Sequence, residues 1–315
     1  MIDLKRRAVL RSLSTLAGAS VLAPAAGATN ISALPPAPTD QRIADLVPSP
    51  SNRDTYSGAD VQESVARKAG LVPDFTFENF VAGRANQLAV AVAQQVAVHP
   101  ESACNPLFIY GAVGHGKTHL MNAIGHKILE RNPQARVRFV HSDEFTSDVV
   151  HAYRDRNFDD FRNRYDSLDA LLIDDVTFFS GKSRTQEELL WFFDRLTERG
   201  RTVVMADAAC PCNWLRNVDR VNMDPRLLSR MASSPAFELG NTDLELRLRI
   251  LRVKALRMGI TLDDGTASYI GTRLRSGDIR RLNGALRRTI AHARFYDQDI
   301  SPRLARQALA GFSLG

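Results

Sequence analysis

With 315 residues, 44% of them apolar and 24% charged, the chain can bury a substantial core and is neither a disulfide-stapled miniature nor a membrane bundle. Its formal charge is +6, and the excess is local: from Asp243 to Gly315 there are 14 Lys and Arg against 7 Asp and Glu. Such a basic part suits phosphates on a nucleotide or a nucleic acid, and equally a solvated helical face. Cys104, Cys210 and Cys212 show no zinc-type spacing and fit a reducing compartment, so Cys210 and Cys212 are read as plain small residues.

In chain order, Lys5, Arg6 and Arg7 precede an apolar run from Ala8 to Leu22 and the small-x-small site Ala26-Gly27-Ala28. This is the grammar of a signal peptide, of the twin-arginine kind in particular, and an Arg-rich, acid-poor start also reads as a transit peptide or a disordered tail. The run is too short and too interrupted to span a membrane. Residues 23–57, rich in Pro, Ala, Ser and Asn, read as a linker, so residues 1–70 are expected to stand apart from the fold. Five short apolar runs follow, Leu107–Tyr110, Val137–His141, Ala170–Ile173, Thr202–Ala206 and Ala236–Leu239. An amphipathic stretch at Gln87–Val98 precedes them, and others at His119–Glu130, Glu144–Tyr153 and Thr185–Arg199 fall between them. That alternation predicts an α/β fold, a five-stranded parallel sheet with helices on both faces, over residues 71–240. After Gly240 only helical patterns remain, from Asp243, Asp263, Asp278 and Ser301, which predicts a small helical subdomain over 241–315.

The strongest chemical signal is Gly111-Ala112-Val113-Gly114-His115-Gly116-Lys117-Thr118, between an apolar strand and an amphipathic helix, which matches G-x-x-x-x-G-K-[ST] in its required context. Glycines let successive N–H groups turn inward onto phosphate oxygens, and the helix start adds partial positive charge. Lys117 would neutralise the β and γ phosphates of ATP, and Thr118 would offer its hydroxyl to Mg²⁺. His115 is read as a tolerant position. Leu171-Leu172-Ile173-Asp174-Asp175 supplies carboxylates at the end of a buried strand: Asp174 to hold Mg²⁺ through its water shell, Asp175 to orient the attacking water. Aspartate at the second position reaches less far than glutamate would, which predicts slow hydrolysis, suited to a switch.

At these residues the chain resembles the AAA+ module of the bacterial replication initiators of the DnaA family, over about residues 71–313. The resemblance is carried by Phe75-Thr76-Phe77-Glu78-Asn79-Phe80-Val81 with Asn86-Gln87-Leu88, by Asn105-Pro106-Leu107 leading into the P-loop, and by Leu171 to Phe179 with Gln186-Glu187-Glu188. Arg273-Leu274-Arg275 and Arg280, with Gly284-Ala285-Leu286, look like the family's lid. It implies a five-stranded parallel sheet with a helical lid, and an opening segment against adenine. It implies further that Asp207 is a sensor of the γ-phosphate, that Arg230 is an arginine finger reaching a neighbouring subunit's ATP, and that Arg280 contacts the nucleotide from the lid. Val150, Lys182 and Arg184 fall where the family lines a channel for single-stranded DNA.

On the same resemblance, the family's duplex-reading helix-turn-helix domain and its N-terminal helicase-contacting domain are expected to be absent. Pro225 after Asp224, and Gly277-Asp278 beside Arg280, depart from the family's pattern. The function expected is an ATP switch in replication initiation or its regulation, in the cytoplasm. The alternatives are a regulatory ATPase like Hda, which acts on DnaA, and a helicase loader, with a small-molecule kinase last because it does not explain Arg230. Expected partners are a second copy of the chain and single-stranded DNA, with full-length DnaA, a sliding clamp or the replicative helicase as further candidates.

Overall fold

The computed structural model describes residues 58–216, 221–273 and 277–311. The signal-like start and the linker lie outside them, as do Leu274 and Arg275. Five strands, β1 (Leu107–Tyr110), β2 (Val137–His141), β3 (Ala170–Asp174), β4 (Thr202–Asp207) and β5 (Ala236–Glu238), form one parallel sheet in the order β2-β3-β4-β1-β5. Every residue of β3 and β4 is buried. Both faces of these central strands are therefore covered, and that is why they read as unbroken apolar runs rather than alternating ones.

The covering helices are α1 (Gly58–Lys68), α2 (Gln87–Val98), α3 (Lys117–Arg131), α4 (Ser142–Arg154), α5 (Phe158–Asp166), α6 (Ser183–Glu198), α7 (Pro211–Leu215) and α8 (Pro225–Ser233). A single 3-10 turn, Val176–Phe179, follows β3. The fold thus begins upstream of residue 71: α1 buries Ala66, the Ala69 carbonyl accepts the Phe139 N–H at 2.8 Å, and Leu71 packs against Gly125 of α3. One side of the sheet rests on an aromatic core in which the Phe145 ring meets Tyr165 edge to face at 5.2 Å and Phe179 at 5.7 Å. Cys210 and Cys212 are joined as a disulfide, contrary to the reading of two plain small residues: Pro211 between them starts α7, and their Cα atoms lie 5.3 Å apart, within bonding reach.

Four more helices follow the sheet, α9 (Leu244–Arg257), α10 (Asp264–Arg273), α11 (Ile279–Phe295) and α12 (Pro302–Ala308). They enclose a second apolar cluster built on Leu251, Ala267, Ile270, Leu282 and Leu286. Their starts are written in the sequence. Asp243, Asp278 and Ser301 each accept a backbone N–H of the first turn, from Leu246, Arg280 and Leu304 respectively, satisfying donors that the helix itself leaves open. Among the described residues no helix is long and apolar enough to cross a membrane.

Candidate functional site

The carboxyl ends of β1, β2, β3 and β4 lie side by side, and chemistry-bearing residues sit on all four. In an open parallel sheet this edge is where a ligand crevice forms. The loop after β1 holds the three motif glycines at positive φ, Gly111 at 155°, Gly114 at 82° and Gly116 at 96°. At Gly111 a Cβ would stand 2.5 Å from the Leu239 carbonyl oxygen, and at Gly114 it would stand 1.9 Å from Oδ1 of Asp278, so neither position accepts a side chain. Lys117 is buried and donates to the Gly111 carbonyl at 2.7 Å and to that of Ala112 at 3.2 Å, folding its stem along the loop. Burial pushes its ammonium below the ordinary lysine range, while Asp174, Asp175 and Asp207 pull it back up.

The Thr118 hydroxyl donates to Oδ2 of Asp174, joining the start of α3 to the end of β3. Asp174 is 1% exposed, and burial raises its carboxyl above the usual range, a rise that the bond from Thr118 opposes. A hydroxyl and a nearly dry carboxylate in contact beside a phosphate-type loop fit a hydrated Mg²⁺, which takes oxygen ligands from one or two protein groups and fills the rest with water and phosphate. Asp175 stands at the left-handed φ of 57°, a costly backbone for a residue with a side chain, and turns sharply out of the strand. Its carbonyl accepts from the Ser142 hydroxyl at 2.7 Å.

Asp207, at the end of β4, is also buried, but its carboxylate is already engaged. Oδ2 accepts from both the backbone N–H and the hydroxyl of Thr177, at 2.7 and 2.8 Å, and Oδ1 from the Ala208 N–H at 2.6 Å. Arg280, exposed in the first turn of α11, lies close enough to Lys117 for their charges to repel. The cap of that helix, Asp278, is set against Gly114, whose carbonyl accepts the Ile279 N–H at 3.1 Å. His115 points its Nδ1 at the Leu239 carbonyl, 2.9 Å away, and is 4% exposed, so it occupies a built position rather than a loose one. Sequence reasoning missed Thr177 and read Asp278 only as a helix start; the partners of both, Asp207 and Gly114, are brought to them only by the fold.

Two groups of expected residues lie away from this crevice. Arg230, on α8, pairs with Asp194 of α6 at 2.7 Å on the surface. Val150, exposed on α4, lies one turn before Tyr153, and the Arg184 guanidinium sits 5.2 Å from that ring. Lys182 lies at the head of α6, its ammonium 3.1 Å from the exposed Phe178 ring. Two exposed aromatic rings that the sequence pattern did not single out thus accompany these residues, Tyr153 beside Val150 and Arg184, and Phe178 beside Lys182.

The sheet order, the left-handed glycine loop and the strand-end carboxylate in contact with the loop threonine define a P-loop nucleotide-binding domain of the AAA+ class. Residues 71–234 match the family model for the bacterial DnaA ATPase domain. The chain is 42% identical over 253 residues to the chromosomal replication initiator protein DnaA of Burkholderia mallei (strain SAVP1), covering 80% of this chain and 46% of that one. It is similar to the crystal structure of domain III of the Thermotoga maritima replication initiation protein DnaA, with TM-score 0.71 and 32% identity, covering 78% of this chain and 99% of that one. It is also similar to a replication initiator DnaA bound to AMPPCP and single-stranded DNA, with TM-score 0.62 and 27% identity, over 76% of this chain and 80% of that one. The chain belongs to the bacterial DnaA ATPase domain family. It spans less than half the length of the curated relative it matches.

Proposed function

We propose that this chain is a slow ATP switch acting in the initiation of DNA replication or its regulation, in the cytoplasm where ATP and the chromosome are found. The observation that carries this is the contact of Thr118 with Asp174 beside a loop of left-handed glycines, a cradle with N–H groups for phosphates and oxygens for a hydrated cation. In this reading the loop N–H groups and Lys117 bind the β and γ phosphates, and Thr118 and Asp174 hold Mg²⁺. Held there, the ion would neutralise charge developing on the phosphates. Asp175 orients the attacking water, and its short side chain keeps turnover slow. Asp207 reports the γ-phosphate through Thr177. Arg280 contacts the nucleotide of its own chain, and Arg230 that of a neighbouring copy once it leaves Asp194. The face of Val150, Lys182 and Arg184 takes single-stranded DNA, its cations on the backbone and its rings under the bases. Residues 71–240 act as the nucleotide domain and 241–315 as its lid. Full-length DnaA, a sliding clamp and the replicative helicase are the further partners to test.

The test is oligomeric state by light scattering, with ATP and with ADP, for the wild type and Arg230→Ala, each with and without single-stranded DNA. ATP-specific assemblies that capture the DNA and vanish in Arg230→Ala are expected. A protein that binds ATP yet stays monomeric and ignores DNA would instead be a regulator of a longer DnaA. One that binds no ATP would sink both readings.

A further inference from the structure

The ends of β2 and β3 bring together a residue that the phosphate chemistry leaves unused. His141, the last residue of β2, pairs in register with Asp174, the last of β3. Paired residues on parallel neighbours point to the same face, so the imidazole and the carboxylate are held side by side. Asp175 is swung back by its left-handed backbone, and one ligand atom from each of His141, Asp174 and Asp175 lies within 4.8 Å of the others. Ligands sharing one ion at about 2.1 Å stand roughly 3–4 Å apart, so shifts of under about 1 Å would close this group on a metal.

The site is built rather than incidental. Phe139, two residues before His141 on the same strand face, is buried and meets the imidazole edge to face at 5.2 Å, which fixes the ring's place. Asp174 has spent only part of its capacity on Thr118 and the Asp175 N–H, since a carboxylate offers about four lone-pair sites. Lys117, whose charge is felt by both carboxylates, donates instead to the Gly111 and Ala112 carbonyls. Asp174 and Asp175 repel each other at close range, a repulsion that a divalent ion would relieve.

We infer that His141, Asp174 and Asp175 together bind a divalent first-row transition ion directly, through one imidazole nitrogen and two carboxylates, in the absence of any nucleotide. A nitrogen ligand selects against Mg²⁺, which prefers oxygen and keeps its waters, and favours manganese, cobalt or zinc. The exposed rim of the site, at His141 and Asp175, leaves water in the remaining positions. The site shares Asp174 and Asp175 with the ATP reading, and the metal alone, without nucleotide, is the probe that separates the two, since only the direct site includes His141.

The experiment is Mn²⁺ binding to the full chain without nucleotide, followed by electron paramagnetic resonance with detection of nitrogen coupling. One bound ion per chain with an imidazole coupling is expected. His141→Ala, at an exposed position, should remove the coupling and weaken binding at least about tenfold. Asp175→Asn should weaken binding and keep the coupling. Absence of bound Mn²⁺ at millimolar metal would overturn the inference, and so would an ion whose affinity and spectrum are unchanged in His141→Ala, which would mean the carboxylates act alone.

Discussion

His119 shows how one half-buried side chain makes the fold sensitive to acid. Its ring is stacked on Phe75 at 4.7 Å, stands edge-on to Phe80, and reaches the Thr76 carbonyl through Nε2 at 2.9 Å. Burial lowers its pKa from 6.5 to about 4, and Lys254 and Arg257 push in the same direction against the Thr76 bond. Above pH 6.5 the ring is neutral whether the chain is folded or not, and its stabilisation is fully present. As pH falls from 6.5 towards about 4 the unfolded chain takes a proton that the folded one refuses, and up to roughly 3 kcal/mol is lost. Urea denaturation at pH 7, 6, 5 and 4 should show this slope, and His119→Gln should flatten it; an unchanged slope would move the acid sensitivity to the carboxylates. None of this was legible in the sequence, where His119 is only the second residue after the motif lysine. Lys117, Thr118, Asp174 and Asp175 were legible, because strand, glycine loop and acid occur at spacings that phosphate chemistry demands.

At the scale of elements, Arg230 is the case where sequence and structure give complementary halves. Its helix α8 announces itself through Asp224 as cap and Pro225 in the first turn, the very feature that departs from the family's pattern, and the cap accepts the Arg226 N–H at 2.8 Å. What the sequence could not reveal is that α8 lies against α6, which hands Arg230 to Asp194. Both partners are substantially exposed, so the pair adds little stability. Its effect should be on availability. Asp194→Ala is expected to leave the denaturation midpoint nearly unchanged and to shift ATP-driven assembly to lower protein concentration in light scattering. Assembly at the same concentration as wild type would mean that Asp194 does not restrain the arginine. The same limit explains His141: the order β2-β3 that joins it to Asp174 is a property of the sheet, whereas the sequence presents the two strands only as separate apolar runs.

Taken whole, the molecule has an aromatic-rich core beneath the sheet and a smaller apolar cluster among α9 to α12, and the phosphate loop lies where the two meet. A nucleotide held there binds only the folded arrangement, so it should stabilise the chain by mass action, about 2.7 kcal/mol at a hundredfold excess over Kd. Thermal melts with ATP and Mg²⁺ should therefore rise in the wild type and stay flat in Lys117→Ala. A rise of equal size in both would take the loop out of the reading. The alternation of strand and helix patterns made the layered fold readable from residue 71 onward. The upstream helix α1 was not, because its polar, alanine-containing stretch resembles linker until Ala66 and Ala69 are seen buried.

The hold of Asp207 on Thr177 has a mechanical meaning. Strand β4 stands between β1, which carries the phosphate loop, and β3, which carries Asp174, so it forms the floor of the crevice. Its last residue is tied by two hydrogen bonds to a single 3-10 turn whose other end presents Phe178 and leads into Lys182. A displacement at that floor meets no slack loop, because the turn has only four residues and is held at its entrance by the Phe178 N–H on the Asp175 carbonyl and at its exit by the Lys182 N–H on the Phe179 carbonyl. One four-residue turn is thus all that separates the buried carboxylate of Asp207 from the exposed Phe178 ring and Lys182 ammonium.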